Sequence, residues 1–266
     1  MSWFDQGYDG AKEQAEKKEL GFPPNRFWLK ADASKKVVFI DDAPFCIWEH
    51  SFKDYENQKN FVTCISKFSE EGCPGCYNPT RVGKGSYTGF LTVVDLTGYT
   101  TRDGEERGKY ELMFLAPKTM LLNKLRKRKE NKGSLVGCIF NFSRSADKQA
   151  AATGDDLEFD RDAKLDMLYT VVTYRGKNIS ETIAAANGGD AKANKFLRHH
   201  FQLDDGPIPA KIPVFNYANH LKPMDAKDMR AFTNGAQALG YTDAPLAPKR
   251  GAQGTATGAT SDDTPF

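Results

Sequence analysis

RFWLKADASKKVVFIDDAPFCIWEH, residues 26–50, is the stretch on which the reading of the fold turns. It divides into three short runs, RFWLK, KKVVFI and FCIWEH, rich in β-branched and aromatic residues and separated by turn formers. Such runs predict strands rather than helices. Downstream, NFVTCI (60–65), YTGFLTVVDL (87–96) and YELMFLA (110–116) repeat the pattern, with TRDGEERG (101–108) as a hairpin loop. SLVGCIFNFSR (134–144) and KLDMLYTVVTYRG (164–176) read as two further strands.

Helical signals are fewer. AKEQAEKKEL (11–20) is built of helix formers and is stopped by Pro23 and Pro24. Pro117 leads into KTMLLNKLRKRKENK (118–132), where Met120, Leu121, Leu122 and Leu125 supply an apolar face and Gly133 a stop. Residues 180–200 and 225–239 start with capping residues and reach a glycine. From about Thr242 to Phe266 the chain is rich in Ala, Gly, Pro, Ser and Thr, and disorder is expected. The expected class is mainly β with added helices (α+β), a small barrel with additions rather than a βαβ repeat. The expected divisions are an N-terminal arm (1–24), a core (25–220), a C-terminal helix (221–241) and a tail (242–266).

Composition narrows the function. A chain of 266 residues suffices for one large domain or two small ones. No apolar stretch approaches the ~18 residues of a membrane span. The charged N-terminus lacks an apolar core, so no secretory signal is expected and the reading is cytoplasmic. Lys plus Arg number 37 against 35 Asp plus Glu, so total charge excludes little. Its distribution matters more: 118–132 carries seven basic side chains and one acidic, whereas DDLEFDRDAKLD (155–166) carries six acidic and two basic and reads as a loop. Dinucleotide, P-loop, metalloprotease and nucleophile-elbow motifs are absent.

Five cysteines, an odd number, argue against a disulfide scaffold. Cys64, Cys73 and Cys76 lie within CISKFSEEGCPGCYNP, and CPGC is a Cys-x2-Cys knuckle of the kind that grips a tetrahedral zinc ion. The fourth ligand is His50 or Cys46, which share one face of a strand with Trp48; His50 is preferred because it ends the strand. Cys138 reads as a core thiol. A closed Cys3His site leaves no position for water, so it is structural rather than hydrolytic. A zinc deaminase or a magnesium nuclease lacks its residue pattern here. The chain ends TSDDTPF, and Asp262, Asp263, Pro265 and Phe266 have the chemistry of a peptide ligand for a basic, apolar pocket.

His50, Cys64, Cys73 and Cys76, followed by GSYTGFLTVVDL and YELMFLAPKTMLLNKL, resemble the zinc-containing OB-fold single-stranded-DNA-binding (helix-destabilising) proteins of bacteriophages over roughly residues 26–175. The SDDTPF tip separately resembles the acidic, Pro-Phe-ended tips of bacterial single-stranded-DNA-binding proteins, which recruit replication and repair partners. The resemblance implies a five-stranded OB-type barrel with a small zinc subdomain at about 46–80. It implies a non-enzymatic, sequence-tolerant protein that coats single-stranded DNA in phage replication, recombination and repair. It places a base-contacting tyrosine at Tyr87. Tyr110 and Trp48 are further stacking candidates, and Arg81, Lys84, Lys109, Lys124, Arg126, Lys127, Arg128, Lys129 and Arg144 are candidates for phosphate. The competing classes are a zinc-containing protein-interaction adaptor and a zinc-dependent nucleic-acid enzyme.

Overall fold

The structure, a computed structural model, describes residues 24–53, 59–77, 84–101, 103–147 and 151–235. Residues 1–23 of the N-terminal arm, the tail with its tip residues, and Arg81 lie outside the described residues.

Strand β4 (Ser86–Asp95) explains the architecture. Every residue from Thr88 to Asp95 is buried, so both of its faces need apolar cover. Leu91 and Val93 point into one core cluster with Val37, Phe39, Leu115, Phe140 and Phe142. Phe90 and Val94 point into another with Val38, Leu112, Phe114, Leu197, Phe201 and Phe215. Period-two alternation thus sends successive side chains into two different cores.

The main sheet runs β11-β10-β7-β4-β1-β8-β9, with β2 (Phe45–Lys53) pairing β4 and β3 (Lys59–Thr63) pairing β2. Here β1 is Ala33–Phe39, β7 Glu111–Leu115, β8 Cys138–Arg144, β9 Asp156–Asp162, β10 Thr173–Tyr174 and β11 Lys177–Asn178. β5 (Tyr99–Thr100) and β6 (Glu106–Arg107) pair in a small separate hairpin, so part of the stretch 101–108 read as a loop is strand. The molecule is mixed α+β, mainly sheet, but the sheet does not close into the expected barrel. Residues 25–27 take part of the free edge of β7: the Phe27 N–H donates to the Phe114 carbonyl at 2.7 Å, and the Phe114 N–H to the Asn25 carbonyl at 2.9 Å. β10 takes the rest, in parallel at Glu111. The predicted strand RFWLK is therefore a single bridge, Arg26 to Phe114, with Phe27 and Leu29 turned into the core.

Several expectations need correcting. The predicted strand 164–176 is a helix, Leu165–Tyr169, followed by β10. Leu168 and Val172 are spaced by four and buried together, whereas Met167 is exposed, which is helical periodicity. The acidic run read as a loop is β9. Its Leu157 and Phe159 face the core, while Asp156, Asp160 and Asp162 pair with Lys124, Lys36 and Lys132 at 2.6, 2.9 and 3.1 Å. The helix expected over 180–200 is two, Ile179–Asn187 and Ala191–Phe201, because Gly188 ends the first and Asp190 caps the second through the Lys192 and Ala193 N–H groups. On the helix Thr119–Lys132, Leu121 and Leu125 are buried but Met120 faces solvent.

Contacts divide the chain into two units. One holds residues up to Glu49 together with Ser86–Lys222; the other holds His50–Gly85 together with residues from Pro223 on. The helix Ala226–Gly235 thus falls in the same unit as the cysteine-rich stretch. Among the described residues no helix is long and apolar enough to cross a membrane.

Candidate metal centre

β2 delivers His50, which is fully buried. Cys64 follows β3 by one residue, Cys73 immediately precedes a single helical turn, Pro74–Tyr77, and Cys76 lies within that turn. The turn closes through the Cys76 and Tyr77 N–H groups, which donate to the Cys73 carbonyl at 3.0 and 3.2 Å. Such a turn aims two sulfurs at one point. Gly75 lies under the imidazole: a Cβ there would stand 2.8 Å from His50 Cδ2, so any side chain would push the ring out of place.

The four ligand atoms lie within 4.8 Å of one another. Cys64 Sγ to Cys76 Sγ is 3.5 Å, and His50 Nε2 is 3.4 Å from Cys73 Sγ and 3.5 Å from Cys76 Sγ. Bond lengths of ~2.3 Å to sulfur and ~2.0 Å to nitrogen around a tetrahedral ion give edges of about 3.5–3.8 Å. The donor set and its edges therefore fit a metal ion. All five cysteines are free thiols. Cys46, the other candidate for fourth ligand, is outside the group and directs its thiol to the Pro44 carbonyl. Cys138 is a buried core thiol, as read from its setting.

The cluster polarises its own thiols. Burial pushes the Cys73 thiol up, but hydrogen bonding to His50 and to the backbone of Ile65 and Cys76 outweighs it and brings the thiol down to about 6. Burial and the neighbouring Cys64 and Cys73 sulfurs push the Cys76 thiol up to about 12. Proximity of this kind is relieved when a cation takes the place of the protons.

The chain shows no significant match to any family model, curated protein or solved structure with which it was compared.

In the sheet unit, Trp48 on β2 and Tyr87 on β4 are cross-strand partners. Both are exposed, at 46% and 39%, and their rings meet edge to face with centroids 5.7 Å apart. On the opposite face of β2, Glu49 is buried between Arg26 and Lys118, each 2.9 Å away, and accepts from Thr88 Oγ1 at 3.0 Å. Burial would raise its carboxyl, but the two cations outweigh that and hold it below the usual range. Lys118 also donates to Ser86 Oγ, beside Tyr87 in the chain.

The remaining candidates divide. Lys84 and Lys109 are exposed, and Lys109 Nζ lies 5.5 Å from the centroid of the half-buried Tyr110 ring, which packs against a core cluster. Arg126, Lys127 and Arg128 are exposed, with Arg126 3.8 Å from Glu130. Lys124 and Lys129 are paired with Asp156 and Asp42. Arg144 is turned inward and donates to the Leu29 carbonyl at 2.9 Å. Sequence reasoning missed Lys118 and Arg26, whose role depends on a carboxylate far away in the chain. It also missed Met229, whose Sδ lies 3.5 Å from Cys73 Sγ.

Proposed function

We propose that this protein is a sequence-tolerant single-stranded-DNA-binding protein whose metal is a structural zinc ion. The single observation that carries the DNA reading is the exposed Trp48–Tyr87 pair on the sheet. Two large aromatic rings left in water on adjacent strands are costly unless something flat covers them, and bases stack on such rings whatever their sequence. The exposed Arg126, Lys127 and Arg128 supply charge for phosphates. The run of five mutually antiparallel strands β7-β4-β1-β8-β9, with a helix between β7 and β8, supports the reading of an OB-type sheet left open. Zinc is the ion favoured by three thiolates and one imidazole, and four protein ligands leave no open position for catalysis. On this reading the protein performs no reaction. It coats single strands in phage replication, recombination and repair in the host cytoplasm, and Asp262, Asp263, Pro265 and Phe266 recruit partner proteins.

A fluorescence titration tests it. Oligo-dT should quench the tryptophan emission, an equal-length duplex should quench far less, and affinity should fall as salt rises. Tyr87→Ala should weaken oligo-dT binding by about 1–3 kcal/mol, roughly five- to 150-fold, with thermal stability almost unchanged. No response to either nucleic acid would discard the reading and bring the protein-interaction adaptor forward.

A further inference from the structure

The helix Ala226–Gly235 holds none of the four grouped residues, yet it packs against two of them. Met229 is fully buried. Its cluster has four other buried members, Val62, Cys64, Ile65 and Cys73, two of which are ligands, with Met224 and Ala226 at the border. Met229 Sδ covers Cys73 Sγ at 3.5 Å. Arg230, the next residue, pairs with Glu71, two residues before Cys73. The helix has ten residues, and its start is fixed by Asp225, which accepts from the Asp228 N–H at 2.7 Å. A helix of this length is marginal alone and takes its stability from the face it buries. That face rests on Cys64 and Cys73, two of the four residues whose donor atoms converge.

We propose that residues 226–235 form a metal-dependent clasp. The helix is held while the ion is bound and released when it leaves, and Met229 is the positioning residue that couples the two events. The proposal rests on the metal reading above. Without the ion, His50, Cys64 and the Cys73–Cys76 turn lose their common anchor, and the socket for Met229 goes with it. With the helix in place, the thioether keeps water from one side of the Cys73 sulfur. Such coupling is reciprocal: the factor by which metal strengthens docking is the factor by which docking strengthens metal binding.

The experiment uses the full chain. Native mass spectrometry counts bound zinc, and hydrogen exchange follows residues 226–235 in zinc-loaded and chelator-stripped protein. Stripping should speed exchange of 226–235 by about five- to 150-fold, the usual range of a coupling, while β4 amides stay protected. Competition with a chelator should show Met229→Ala binding zinc weaker by a similar factor, and Met229→Leu, which refills the socket, recovering most of it. Intact β4 protection in both variants shows that they are folded. Equal exchange of 226–235 with and without zinc overturns the clasp, as does Met229→Ala holding zinc as tightly as the parent. A parent chain that binds no zinc at all overturns the metal reading itself and the clasp with it.

Discussion

The sheet and the metal knuckle bury very different amounts of apolar surface. Among the described residues, the two clusters on either side of the sheet contain 22 and 15 buried residues, whereas the cluster beside the ligands contains five, two of them ligand cysteines. At about 25 cal/mol per Å2 of apolar surface, the first arrangement supports itself. The second is far smaller among the described residues, and in small domains of that kind a shared ion replaces a core. The same contrast governs polar groups. In the sheet, Asp95, Thr88 and Thr92 are buried and answered by local partners such as Lys35, Lys118 and Tyr217. In the knuckle, the buried polar groups are themselves the ligands.

That contrast breaks most easily at the ion. Structural zinc contributes on the order of 10 kcal/mol in small metal-dependent folds. Chelation, or Cys73→Ser, should therefore abolish hydrogen-exchange protection in Lys59–Thr63 and Pro74–Tyr77 and leave β1, β4 and β8 protected. Loss of protection in those sheet strands as well would show that the sheet does not support itself.

The reverse change sharpens it. Phe140 is fully buried, with its ring edge-to-face on Phe39 at 5.4 Å and on Phe159 at 5.7 Å. Phe140→Ala should cost about 3–5 kcal/mol in denaturant unfolding of the sheet, with one metal ion still bound per chain. Loss of the ion in this variant would join the two regions in stability.

A smaller effect lies in a titrating group of the sheet unit. Burial pushes the Asp41 carboxyl up to about 6, against hydrogen bonds from the Tyr217 hydroxyl and the Thr92 N–H. The native state thus keeps a proton that the unfolded chain releases near pH ~3.9. The contribution of this group is complete below that value and is lost as pH rises through about 6. A rise of that size, discounted for partial solvent contact, is worth about 2 kcal/mol. The stability difference between the parent and Asp41→Asn, measured by urea unfolding, should move by that amount in favour of the variant between pH 4 and pH 8. A difference independent of pH would remove Asp41 from the account.

Much of this was legible because it depends on near neighbours in the chain. The runs KKVVFI, FCIWEH and TGFLTVVD announce strands through residue type and turn punctuation, and all three lie in β1, β2 and β4 or at their ends. The knuckle was legible for a stronger reason. Cysteine and histidine are rare, metal chemistry uses few residue types, and CPGC closes its turn locally. The misreadings came where a neighbouring element outweighed local preference. DLEFDRD is acidic enough for a loop, but lysines at 36, 124 and 132 neutralise it and two inward side chains suffice for a strand. LDMLYTVVTY has the β-branched content of a strand, yet the core takes Leu168 and Val172 from one face of a turn.

Residue identity and spacing were enough to name Cys64, Cys73 and Cys76 as a set, with His50 or Cys46 to complete it, and to place the chain among mainly β proteins with added helices. Long-range packing settled the rest. It chose His50 over Cys46, opened the sheet by laying residues 25–27 along β7, and turned Arg144 inward. It tied Lys124 and Lys129 to carboxylates and brought Met229 onto a sulfur 156 residues away in the chain. The physical reason is range. Ligand chemistry and turn geometry act over a few residues and leave a pattern in the sequence. Burial and charge pairing act between whichever groups the fold brings together, and leave none.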